Sequence, residues 1–291
     1  MINAVVTGAS GFLGSNLVKY LLKKEISVSI ILRKESSTEN LEDVLSDVNV
    51  FIYNNDVEEL IKFFKEIKPR EVFHLASNFI AEHSTSQINS LVESNILFGL
   101  HILEAMKVSG IKRMINTGTS WQHYNSDEYN PVCLYAATKE AFEKLIEYYV
   151  SAEGFKVITL KLYDTYGEND KRPKLINLLN KFADDNIELN MSLGEQLLNL
   201  VHVSDVCEAF FISSSLLENS NKHVSYSLPS LKSYRLKDLV SLFEKVTGKE
   251  IKVNWGGKDY RKREVMSLWG GGEKLPNWSP KVTLEEGLKR Y

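Results

Sequence analysis

Residues 4–23 restrict the fold more than any other part of this 291-residue chain. Residues 4–7 are a short apolar run, Gly8-Ala9-Ser10-Gly11-Phe12-Leu13-Gly14 follows, and residues 15–23 carry apolar positions at helical spacing. Strand, glycine turn and helix in that order open a βαβ unit, the context in which a glycine motif carries meaning. Glycine permits the tight turn and lets backbone approach a pyrophosphate, while the helix N-terminus offers N–H groups and partial positive charge. The spacing is G-x-x-G-x-x-G, not the plainer G-x-G-x-x-G. We expect a dinucleotide here, along Gly8, Ser10, Gly11, Phe12 and Leu13; the other reading is a turn that merely closes a βα unit.

The pattern then repeats. Residues 27–32, 48–53, 71–74, 113–117 and 155–160 read as further strands, with helices between them such as 91–108, which contains Asn95. This alternation predicts an α/β fold, a Rossmann-type doubly wound parallel sheet. The second strand ends in Arg33-Lys34. NAD-binding units place a carboxylate there for the ribose 2′-OH, whereas a base suits the 2′-phosphate of NADP, so we expect NADP, a solvated loop charge being the alternative. Asn54 falls where an adenine contact would sit, and nearby Asp56 could cap the helix starting at Val57. Small residues at Leu75-Ala76-Ser77 would let a cofactor pass the fourth strand. The fifth strand delivers Thr117, Thr119 and Ser120 to the sheet edge where ligands bind in open α/β proteins. Residues 1–166 are expected to form the cofactor domain. Residues 167–291, with helices near 174–182 and 203–217, would form mainly a smaller C-terminal α/β substrate lobe, some late segments returning to the first domain.

Tyr135 and Lys139, four apart in a helical stretch, lie one above the other on a helix face. A free phenol, with a pKa near 10, exchanges protons poorly at neutrality. A neighbouring ammonium is expected to lower that value and fit the tyrosine for acid/base work.

Apolar residues make up 43% and charged residues 25%, with net charge −3. That is enough apolar side chain for a large core and no electrostatic case for nucleic acid or an anionic membrane. Cys133 and Cys207 are the only cysteines, without metal spacing, and no His/Cys/Asp set has ligand spacing, so no disulfide framework and no metal are expected. The apolar run at the start lacks signal-peptide character, no run approaches a membrane span, and a cytoplasmic location is expected.

Taken together, Thr-Gly-Ala-Ser-Gly-Phe-Leu-Gly at 7–14, His-Leu-Ala at 74–76, Asn95, Tyr135/Lys139, Leu-Tyr-Asp-Thr-Tyr-Gly at 162–167, Val-His-Val-Ser-Asp-Val at 201–206 and Asn-Trp-Ser-Pro…Leu-Glu-Glu-Gly at 277–287 resemble the extended short-chain dehydrogenase/reductases. The likeness runs over nearly the whole chain. It implies that Thr119 holds a substrate oxygen beside Tyr135, with Ser120 as the register alternative. Tyr135 would be the acid/base, and Lys139 would bind the nicotinamide ribose and lower the tyrosine pKa. Gly8, Gly11 and Gly14 would line the pyrophosphate, Ala76 would pass near the cofactor, and Tyr163 would lie near the nicotinamide through backbone.

Departures from the family pattern narrow the reaction. Its dehydratases resemble Thr-Asp-Glu where this chain has Thr119-Ser120-Trp121, so a 4,6-dehydratase is not expected. Asp164 replaces a frequent Asn and Leu198 a frequent Arg, both where sugar or diphosphate contacts fall. Arg261 suits a diphosphate by position, with Arg263 as the register alternative, and His83 and His123 are further substrate-contact candidates. The short, crowded segment after Thr119 is most similar to that of the nucleotide-sugar 4-ketoreductases that finish 3,6-dideoxyhexoses. The resemblance thus implies NADPH-dependent reduction of a nucleotide-linked 4-keto sugar. An epimerase with tightly held NAD(P) and a non-catalytic NADP-binding regulator are the alternatives. It also implies a homodimer through the helices at 91–108 and 135–151.

Overall fold

A computed structural model describes residues 3–219 and 222–291. Six strands open the chain: β1 (Asn3–Thr7), β2 (Ser27–Arg33), β3 (Asn49–Tyr53), β4 (Glu71–His74), β5 (Arg113–Thr119) and β6 (Lys156–Leu162). Helices α1 (Phe12–Lys23), α2 (Val57–Ile67), α3 (Ile88–Val92), α4 (Phe98–Val108) and α5 (Leu134–Glu153) alternate with them. Then follow β7 (Asp164–Tyr166), α6 (Leu175–Asp184), β8 (Leu189–Met191), β9 (Leu197–Leu198), β10 (Leu200–His202) and α7 (Val203–Leu216). The chain ends through β11 (His223–Leu228), β12 (Tyr234–Arg235), α8 (Leu236–Thr247), β13 (Val253–Trp255), β14 (Glu273–Lys274) and α9 (Leu284–Leu288).

Among the described residues, eight strands form one sheet in the order β14-β11-β6-β5-β4-β1-β2-β3, every neighbouring pair parallel. The order reverses between β1 and β4, which opens a crevice at their carboxyl ends. Both faces of the central strands are covered, and their alternate residues serve alternate cores. Ala4, Val6, Val28 and Ile30 pack with α1 and α7, while Val5 and Ile31 pack with α2, α4 and α5. β11 and β14 therefore belong to the sheet and α7 packs on it, although all three come after residue 166. A third core, built on Leu179, Leu236, Leu239 and Phe243, joins α6, α8 and α9 with the short pairs β7/β10 and β8/β13.

Two elements differ from expectation in ways that shape the site. β5 runs on to Thr119, which pairs with Leu162, so Thr119 stands on the sheet rather than in a turn after it. The helix expected over 91–108 is interrupted by a π-helical turn at Glu93–Leu97, and buried Asn95 lies within it. Its Oδ1 accepts from Asn78 N (2.7 Å) and Ser77 Oγ (3.2 Å); its Nδ2 donates to Asn78 O (3.1 Å) and Thr138 Oγ1 (2.9 Å). A widened turn lets one amide lock the loop after β4 against α5.

Candidate functional site

The glycine turn is shaped by close approaches. Gly8 has φ +69°, and a Cβ there would meet Ala76 N at 2.7 Å; a Cβ on Gly14 would meet Gly8 O at 2.1 Å. The turn thus presses β1 against the end of β4 and α1 against the turn. Gly11 is the N-cap of α1 and has no side chain, so nothing on the cap accepts from the first-turn N–H groups. Thr7, buried behind the turn, accepts from Leu75 N and Ala76 N (both 3.2 Å) and meets His74 Nδ1 at 2.9 Å. Burial drives His74 down to about 3, so its imidazole is neutral. Thr117 Oγ1 donates to His74 O (3.0 Å). The sequence reading gave Thr7 and His74 no separate role, because what they do depends on strand adjacency.

Arg33 stands exposed at the end of β2, and among the described residues its guanidinium has no ion pair or hydrogen bond. Asn54 follows β3. It donates to Glu59 Oε2 (2.9 Å) and accepts from Asp56 N (3.2 Å), building the turn in which Asp56 caps α2.

Tyr135 and Lys139 lie one turn apart on α5, 9% and 2% exposed. Among the described residues the Lys139 ammonium forms no hydrogen bond or ion pair. Burial lowers its pKa to about 8, partly offset by the Glu143 carboxylate one turn on. The expected lowering of the Tyr135 pKa is reversed. Burial pushes the phenol well above its ordinary value, and Ser77 only partly counters it. The ammonium's field acts on Glu143 and His74 instead. At neutral pH this phenol is protonated, the form that gives a proton rather than takes one.

Thr119 is buried at the end of β5, next to buried Ser120. Its Oγ1 accepts from Trp121 N (3.3 Å), which leaves the hydroxyl hydrogen free to donate elsewhere. Gln122, fully buried, fixes this loop to α5. Its Oε1 accepts from Thr119 N (2.9 Å), and its Nε2 donates to Glu140 (2.6 Å) and Glu143 (2.8 Å). Lys161 lies 3.7 Å from both carboxylates and 3.2 Å from His123 Nε2, and His123 stacks on Trp269 at 4.1 Å. The half-buried His123 thus joins the network around Lys161. Tyr163 turns its ring into the α1-side core and donates to Trp269 O (2.6 Å).

A cleft of about 450 Å³ is lined by Phe79, Trp121, Asp164, Lys174 and Arg261 together with residues of the C-terminal core such as Leu189 and Leu236. Arg261 makes a two-pronged pair with Glu264 (3.1 and 2.7 Å) and lies over Trp121; Arg263 instead bonds Asn130 over Tyr124, away from the cleft. His83 is exposed and outside the lining, while its neighbour Glu82 is part of it. Lys174 and Phe79 were missed by sequence reasoning, having no motif of their own. Lys174 reads as the start of a helix, and only the fold sets its ammonium over the Phe79 ring at 3.9 Å.

The family model described as the NAD dependent epimerase/dehydratase family matches residues 4–226. A CDP-abequose synthase of Yersinia pseudotuberculosis is 30% identical over 269 residues, 90% of each chain. One from Salmonella muenchen is 25% identical, covering 98% of this chain and 95% of that one. Among solved structures, UDP-glucose 4-epimerase of Thermotoga maritima with UDP-glucose superimposes with a TM-score of 0.85 at 23% identity, over 99% of this chain and 97% of that one.

Proposed function

The chain belongs to the NAD dependent epimerase/dehydratase family, and within it we propose an NADPH-dependent reductase acting on the 4-keto group of a nucleotide-linked 6-deoxy or 3,6-dideoxy hexose. The observation that carries this reading is a buried, protonated Tyr135 one turn from a buried Lys139 whose ammonium has no hydrogen bond or ion pair among the described residues. Likeness to CDP-abequose synthases supports the sugar class. The bare α1 N-terminus and Arg33, whose guanidinium has no partner among the described residues, suit an anionic dinucleotide with a 2′-phosphate.

When bound, the nicotinamide supplies hydride. Lys139 holds ribose hydroxyls. Tyr135 and the Thr119 hydroxyl donate to the carbonyl oxygen and stabilise the charge that develops there. Tyr135 then releases its proton to that oxygen, with Lys139 one turn along α5. Lys174 and Arg261 neutralise the diphosphate. No carboxylate stands among Thr119, Ser120 and Trp121 to remove water from a neighbouring carbon.

The test offers CDP- and dTDP-4-keto-6-deoxyhexoses and their 3-deoxy forms with NADPH. A reductase consumes the reduced-nicotinamide band stoichiometrically. An epimerase, the reading favoured by the structural likeness to one, converts sugar with the band unchanged. NADPH binding with no turnover of any sugar would leave a regulator. Tyr135→Phe should lower turnover by about 10²–10⁴-fold with NADPH affinity intact; equal turnover removes the mechanism. Ile88, Val92, Leu97 and Tyr148, exposed along the α3–α5 surface, are the proposed homodimer contact, and a fully active monomer by light scattering would discount it.

A further inference from the structure

We propose that Phe79 and Trp121 are the specificity residues of the sugar subsite, selecting a hexose that carries methyl or methylene where common hexoses carry hydroxyl. The proposal rests on the sugar-nucleotide reading above and adds the feature that would choose among sugars.

Phe79 leaves the loop after β4 and stands 44% exposed at the cleft. Its edge meets the Tyr135 ring at 4.9 Å and its neighbour is Trp121 at 5.5 Å. The Lys174 ammonium lies 3.9 Å over Phe79, and the Arg261 guanidinium 5.2 Å over Trp121. The aromatic pair thus touches the proton donor through Phe79 and a cation through each ring. A sugar nucleotide with its reacting carbon at Tyr135 and its anomeric phosphate at the cations would lie against the pair.

An aromatic face is only a weak hydrogen-bond acceptor. A hydroxyl turned onto the pair gives up water for little return, whereas a methyl or methylene there gains burial. An apolar surface discriminates against one added hydroxyl by about 10²-fold. Asp164 also lines the cleft and can bond sugar hydroxyls.

Calorimetry in the presence of NADP, with CDP-glucose and its 3-deoxy and 6-deoxy analogues and the matching dTDP series, tests this. At least one deoxy analogue should bind about 10–100-fold tighter than its parent. Phe79→Asn with Trp121→Gln should bring that ratio towards one, while Phe79→Leu, which stays apolar, should retain it; circular dichroism verifies the folds. Equal affinities across both series in the wild type would mean stacking on any sugar and overturn the inference, with the reductase assay above still standing. A ratio that persists in the Asn/Gln variant overturns it as well. Failure of the wild type to bind any sugar nucleotide removes the underlying reading and the inference with it.

Discussion

Replacing Lys139 by Met should make the protein more stable and nearly inactive. The ammonium is 2% exposed, and its pKa falls from 10.5 to about 8 on folding, chiefly through burial. Folding therefore weakens proton binding at this site, and the charged form carries a penalty of about 3 kcal/mol. For a lysine with a depressed folded value, the penalty is fully present below about pH 8. It fades as pH rises through the interval to the unfolded value of 10.5, so the wild type gains stability across that window from this group. Met fills a similar volume without charge and keeps a good helix former in α5. Glu143 loses one cation but retains Lys161 at 3.7 Å and Gln122 at 2.8 Å. Urea unfolding at pH 7 should show Lys139→Met more stable by up to about 3 kcal/mol, or about 5 °C in Tm for a chain of this length. The gap should close near pH 10.5, and turnover should fall at least about 10²-fold. A Met variant no more stable than wild type at pH 7, or an advantage unchanged at pH 10.5, would refute the argument that burial dominates this lysine.

Glu143→Gln keeps the shape of the contact with Gln122 but removes the carboxylate that supports the Lys139 charge. The alkaline limb of kcat/KM should move to lower pH, and an unmoved limb would assign Glu143 to folding alone. Arg33→Ala should raise KM for NADPH about 10–100-fold and leave NADH little changed, the worth of one or two charge-assisted bonds; parallel losses for both cofactors contradict the 2′-phosphate role. Gly14→Ala forces a methyl to 2.1 Å from Gly8 O and should cost about 1–3 kcal/mol or more in urea unfolding, so a neutral result would mean α1 can shift freely.

Where a feature was encoded locally, it was legible in the sequence. The glycine turn, the apolar runs of β1 to β6 and the Tyr135/Lys139 spacing each follow from residues a few positions apart. What was not legible depends on distant partners. The π turn at Asn95 is held by Asn78 and Thr138, 17 and 43 residues away. β5 reaches Thr119 only because Leu162 pairs with it. β11 alternates Ser225 and Ser227 with apolar residues, so no apolar run announces a sheet strand there. The Tyr135 shift was misjudged in sign because helical spacing shows which groups are neighbours but not how much water the fold removes from them. Phe79 and Lys174 lie 95 positions apart in ordinary loop and helix-start sequence and meet only through the cleft.

The attachment of β11 to β6 through six residue pairs also bears on synthesis. A nascent chain that has released only its first two hundred residues presents β6 as a bare parallel edge, its amides and carbonyls open to any other extended strand. Completion waits for a segment made well after the glycine turn. The interval between the two is when this protein is most exposed to aggregation and most dependent on chaperones.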